Sequence, residues 1–136
     1  FSQENFIPVC SPQSEDANRE VTIKDLTKSR LILRESGSGT REIFENILQK
    51  NNYSLDAFNK VVEVSNMSAI KKMVSNNLGI SFMFEVVARK EIESNTLSRI
   101  NLSNYTEQRE FNFVYLKNSY FRDRIMNIYQ LLIQSQ

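Results

Sequence analysis

What most constrains this chain is a change of hydrophobic period that occurs three times: a short apolar run gives way, through a polar break, to apolar residues at helical spacing. Arg30-Leu31-Ile32-Leu33-Arg34 reads as a buried strand, Glu35 to Thr40 as a Gly/Ser loop, and Ile43, Phe44, Ile47 and Leu48 as one stripe of a helix. Val61-Val62-Glu63-Val64 is a second strand, followed by Ser65-Asn66 as a cap. Met67, Ile70, Met73 and Val74 make the next helical stripe, with Lys71 and Lys72 expected to face solvent. Ile80 to Phe84, followed by Val86, Val87 and Ile92, repeats the pattern again. Strands that alternate with helices call for right-handed crossovers and a sheet covered on both faces. The expected fold class is therefore α/β, a three-layer αβα arrangement with a mostly parallel sheet. Ligands of such sheets sit beyond the carboxyl ends of the strands, where helix N-termini point.

The flanking segments fill in the rest. Asn5 to Cys10 is apolar but contains Pro8, which cannot donate to a ladder, so it is expected at an edge or as a connector. Thr22 suits the N-cap of one helical turn over Ile23 to Leu26, and Asn77 suits a left-handed C-terminal cap. Leu97 to Leu102 and Phe111 to Leu116 are further strand candidates. Phe121, Ile125, Ile128 and Leu132 recur at helical spacing behind Asn118 or Ser119, as in a long amphipathic helix.

Composition removes several chemistries. There is no His and a single Cys, so neither a Ser-His-Asp or Cys-His nucleophile nor a Cys/His zinc site can be assembled from this sequence. Seventeen Lys and Arg stand against 16 Asp and Glu, a net charge of +1, which argues against a dedicated nucleic-acid surface. The apolar run at Ile80 to Phe84 falls far short of the roughly 20 residues that a bilayer span needs, so no membrane is expected as a partner. A lone Cys10 and the lack of a charged-then-apolar leader point to a reducing cytoplasm. The start at Phe1 suggests a fragment of a longer protein.

The glycines single out one loop. Two of the three lie in Ser36-Gly37-Ser38-Gly39-Thr40, directly before a helical stripe. Glycine permits positive φ and close backbone approach, so successive N–H groups can curl toward an anion at a helix start. The unpaired N–H groups of the first turn and the positive end of the helix dipole favour a carboxylate, phosphate or sulfate. Ser36, Ser38 and Thr40 add hydroxyls, and Arg34 or Arg41 can add charge. With Ser38 as N-cap, position N3 holds Arg41 rather than the Glu of a capping box, which leaves the helix end open to an outside anion. The loop is neither a Walker P-loop nor a dinucleotide fingerprint, since the Lys of the first and the third glycine of the second are missing. A plain capping role competes with the ligand role. Ser65-Asn66 is a second helix start that can face the same cleft, and Phe84, near a strand end, can wall a pocket. Core packing is the ordinary role for Met67, Met73, Met83 and Phe82.

Three segments in order, Leu31 to Arg41, Val62 to Val74 and Leu78 to Phe84, resemble the effector-binding domain of LysR-type bacterial transcription regulators. That family has a strand ending in an SGSGTR-like loop, a strand-Ser-helix of the AIKxxV kind and a glycine pair before an apolar strand closed by Leu-Pro. Here Asn77 stands for the first glycine of the pair, and Met83-Phe84 for Leu-Pro. The resemblance implies half of a two-subdomain architecture of the periplasmic-binding-protein-like, type II kind. Residues 5–10 would be the crossover strand, 21–105 the second subdomain, and 111–134 the return strand and closing helix of the first. It implies a small-molecule effector sensor, not an enzyme, with no cofactor and no metal. Its ligand contacts would be Ser36, Gly37, Ser38, Gly39, Thr40, Ser65 and Asn66, with Phe84 as a cleft wall. DNA would be met only through a winged helix-turn-helix outside this sequence, and self-association into a homo-oligomer is expected, with Phe121, Ile125 and Tyr129 in the contact. The rival readings are a solute-binding receptor of the periplasmic class and an enzyme that uses Ser36 or Ser38 with Lys or Glu.

Overall fold

The computed structural model describes residues 3–103, Tyr105 and 108–110. The strand expected at Phe111 to Leu116 and the helix expected over Phe121 to Leu132, with its proposed contact residues, lie outside these. In chain order the elements are β1 (Gln3–Cys10), β2 (Glu20–Val21), α1 (Ile23–Leu26), β3 (Arg30–Leu33), α2 (Gly39–Lys50), β4 (Lys60–Glu63), α3 (Met67–Ser75), β5 (Ser81–Phe84), α4 (Glu85–Glu93), β6 (Ser98–Arg99), β7 (Asn101–Leu102) and β8 (Gln108–Glu110).

The α/β architecture is the one the period changes call for. β3 and β4 pair in parallel, and so do β2 and β7. The Ile80 N–H donates to Arg30 O and the Ile32 N–H to Ile80 O, both at 2.8 Å, which sets the start of β5 parallel to β3. β1 runs against every partner: β5 from Phe6↔Phe84 to Val9↔Ser81, β6 at Val9↔Arg99, and β8 at Glu4↔Arg109. The sheet is therefore mixed around one antiparallel strand.

Pro8 accordingly lies between β5 and β6, not at an edge or in a connector. The geometry shows why this is tolerated. An extended residue points its N–H and C=O to the same side, and the Pro8 carbonyl accepts from the Ile100 N–H at 2.9 Å. The donor that proline lacks thus faces Ile100, where β6 has just ended, and no bond to β5 is lost.

Burial follows from this layering. Phe6, Ile7, Val9 and Cys10 of β1 are each 0% exposed, and all four residues of β5 are buried, so both strands are covered on both faces. Phe6, Phe82 and Phe84 share one face. Phe44 of α2 packs on Phe82 at 4.7 Å between ring centroids, and Phe6 meets Phe84 edge-on at 5.3 Å. Such pairs add about 0.5–1.5 kcal/mol each to what area burial contributes. Phe44, Ile47 and Leu48 are buried along α2, and Met67, Ile70 and Val74 along α3, as their spacing requires.

One residue departs from its expected place. Lys71, read as a solvated partner of Lys72, is buried at 5% exposure, and its ammonium donates to Val87 O at 3.1 Å and Glu91 Oε1 at 3.3 Å. A buried ammonium is tolerable because α4 supplies both a carbonyl and a carboxylate. Lys72 is exposed.

Candidate functional site

The loop between β3 and α2 is built by its own residues first. Gly37 has φ +95°, a conformation that a side chain resists, and it turns the chain so that Ser38 becomes the N-cap of α2. The Ser38 N–H donates to Glu35 O at 3.2 Å, and its hydroxyl accepts from the Arg41 N–H at 3.3 Å. Glu42 N–H then reaches Ser38 O. Among the described residues, the N–H groups of Gly39 and Thr40 have no acceptor. These are the first two donors of the helix, and they stand at the positive end of its dipole.

Thr40 adds a second irregularity at the same place. Its side chain is turned inward at 5% exposure, and its Oγ1 is the one buried side-chain oxygen or nitrogen without a hydrogen-bond partner among the described residues. Buried hydroxyls left unbonded are uncommon and costly, by about 1–3 kcal/mol. Thr40 lines a cavity of about 10 Å³ together with Arg34, Arg41, Phe44, Met67 and Phe82. That is room for about one water molecule.

Met67 brings the second helix start to the same cavity. Asn66 is the N-cap of α3, its side chain accepting from the Ala69 N–H at 3.0 Å, and Met67 is the first residue of that helix. The starts of α2 and α3 thus meet at one small space through Thr40 and Met67, whereas Ser36, Gly37, Ser38, Gly39, Ser65 and Asn66 do not line it. Ser65 is exposed beside Asn66. Phe84 does not join them: it is 1% exposed, packed on Phe6 in the core, and Phe82 lines the cavity instead.

Charges around the loop are already paired. Arg34 donates through Nε and Nη2 to the Glu35 carboxylate at 3.3 and 3.1 Å, and this contact holds the Glu35 carboxyl below its usual range. Arg41 reaches Glu45 Oε1 at 3.1 Å, Arg34 O at 3.1 Å and Glu63 Oε1 at 3.4 Å. Glu63 also accepts from the Ser36 N–H at 2.9 Å. Its place follows from register: Leu33 pairs with Glu63, so the last residue of β4 lies beside the point where β3 enters the loop. Sequence reading passed over Glu63, and the available signal was a lone carboxylate in a β-branched run.

A larger cavity, of about 300 Å³, opens between Pro8, Arg99, Asn101 and Tyr105. None of the sequence-predicted contacts lines it. No helix among the described residues is long and apolar enough to cross a membrane.

With this geometry in view, comparison with known proteins is specific. Residues 1–135 match the family model described as the LysR substrate binding domain. The chain is 35% identical over 98 residues to the uncharacterized HTH-type transcriptional regulator YeiE of Escherichia coli, a match covering 72% of this chain and 32% of that protein. It is 27% identical over 97 residues to the HTH-type transcriptional regulator CysL of Bacillus subtilis, covering 71% of this chain and 31% of that protein. The chain thus spans about a third of the length of these curated relatives. Among solved structures, the regulatory domain of Synechocystis CcmR in complex with 2-PG superposes with a TM-score of 0.66 at 18% identity, over 94% of this chain and 64% of that one. The regulatory domain of MetR, a LysR family regulator from N. meningitidis, gives a TM-score of 0.67 at 15% identity, over 98% and 60%. These two likenesses show a shared fold.

Proposed function

The chain belongs to the LysR substrate-binding domain family, and from that membership we propose that it senses a small anionic effector at the Ser36–Thr40 loop and the start of α3. In this reading the chain supplies one wall of a cleft between two subdomains of a longer transcription regulator. Binding there changes how the regulator's separate helix-turn-helix holds DNA. The small-molecule part of the reading is supported by the solved CcmR regulatory domain, which shares this fold and is in complex with 2-PG. The regulator names of the curated relatives weigh against a solute receptor and against an enzyme.

One observation carries the anion part. The unpartnered Thr40 hydroxyl stands beside two helix-start N–H groups that also have no acceptor. An unpartnered hydroxyl and two open N–H groups at one helix start, with Arg34 and Arg41 close to Thr40, suit an oxyanion better than a neutral ligand.

The test is thermal unfolding of the intact regulator against sulfate, phosphate and a panel of small carboxylates. A ligand that binds only the folded state adds about 2.7 kcal/mol at a hundred times its Kd. A domain of this size class then shows a rise of several degrees, at about 2–4 °C per kcal/mol. Thr40→Val keeps the shape and removes the hydroxyl, so it is expected to lose most of that rise. A rise that survives the substitution unchanged would remove Thr40 from the site.

A further inference from the structure

We infer that Glu63 is a built-in competitor of the effector: its carboxylate occupies one anion position of the loop, and an incoming oxyanion must displace it. The inference rests on the anion-site reading above and adds the residue that sets the site's apparent affinity. Glu63 Oε1 lies 2.9 Å from the Ser36 N–H and 3.4 Å from Arg41 Nη1, one backbone donor and one guanidinium donor. An effector carboxylate or phosphate arriving at this loop would seek the same two donors. Beside them, the N–H groups of Gly39 and Thr40 and the Thr40 hydroxyl stand unfilled. The loop is therefore half occupied by an anion of its own chain.

Two features make Glu63 displaceable rather than a fixed brace. Its side chain is 55% exposed, so leaving the loop costs it little packing and water receives the freed carboxylate. Exposed ion pairs of this kind are weak, held at only a fraction of the strength of a buried pair. Arg41 would not be stranded either, because Glu45 and Arg34 O hold it from other directions. When a site is blocked for all but a fraction of the time, the apparent dissociation constant is raised by the inverse of that fraction. A carboxylate seated for nine-tenths of the time therefore weakens effector binding about tenfold.

The experiment measures sulfate and phosphate binding by calorimetry on the intact regulator and on its Glu63→Gln, Glu45→Gln and Thr40→Val variants. Glu63→Gln keeps an acceptor for the Ser36 N–H and removes only the charge. It is expected to tighten binding about tenfold, with Glu45→Gln changing it less than about threefold. Unchanged or weaker binding in Glu63→Gln, with Thr40→Val still losing the anion, would overturn the competitor role and leave the anion site standing. Equal tightening in Glu45→Gln and Glu63→Gln would also overturn it, since the effect would then be net charge and not occupancy. If neither the parent protein nor Glu63→Gln binds either anion, both the competitor and the site reading fall.

Discussion

Lys71 and Glu63 show how far one position can depart from what its residue type suggests. Lys71 follows Ile70 and precedes Lys72, and its charge argues for solvent. Yet Met67, Ile70, Lys71 and Val74 stand at i, i+3, i+4 and i+7, the spacing of a buried helical face, so its position carried the signal that its chemistry obscured. The four-carbon stem lies in the apolar layer, and the ammonium ties α3 to α4 through Val87 O and Glu91. Lys71→Met preserves most of the stem and removes both bonds. It is expected to lower stability by about 1–3 kcal/mol, read from the urea midpoint of the intact protein. Lys72→Met, on the exposed side, should stay within about 0.5 kcal/mol of the parent, and an equal loss in both would show that Lys71 is not a tie. At Glu63 no local pattern pointed to the loop, because the residue it meets is 27 positions earlier.

Helix starts and stops were the most legible elements, since each depends on a few neighbouring residues. Thr22 caps α1 in a capping box with Asp25, Ser38 caps α2 and Asn66 caps α3. Three helices close the same way: Asn52, Asn77 and Asn95 take φ near +60°, and the next N–H reaches back to Leu48, Met73 and Glu91. Asparagine does here what glycine usually does, as its short side chain tolerates the left-handed region. Of these stops the sequence reading marks only Asn77 as a left-handed cap and places a helix end near Asn95, although Asn51-Asn52 has the same look as Asn76-Asn77. Gly79 has a different role, because a Cβ there would stand 2.7 Å from Arg30 O and 2.9 Å from Ile32 Cδ1. Arg30 O cannot move away without losing the Ile80 N–H that joins β5 to β3. Gly79→Ala is therefore expected to cost about 3 kcal/mol or more by chemical denaturation. A value under about 0.5 kcal/mol would mean that β3 and β5 can separate freely.

At the scale of the whole molecule, Cys10 reports on integrity. It sits at the end of the central strand at 0% exposure, and burial, with a smaller push from the Asp16 charge, raises its thiol from 9.0 to about 11. The unfolded chain sheds this proton first, so between pH 9 and 11 the folded form holds the extra proton and stability falls as pH rises through that window. Urea midpoints should decline over that range and decline less in Cys10→Ala, and identical pH slopes would show that burial does not raise the thiol above its unfolded value. Below pH 9, thiol reagents should label Cys10 only as fast as the fold opens. What the sequence by itself determined was local: the period changes that demand an α/β fold, the caps, the buried stripes, and a Gly/Ser turn aimed at a helix start. The tertiary structure decided which strand is central, that β1 runs antiparallel through Pro8, that Lys71 is inside, and that Glu63 lies on the loop. Caps and stripes are set by residues within one or two helical turns of each other, whereas pairings such as Phe6 with Phe84 arise only when distant segments close a common core.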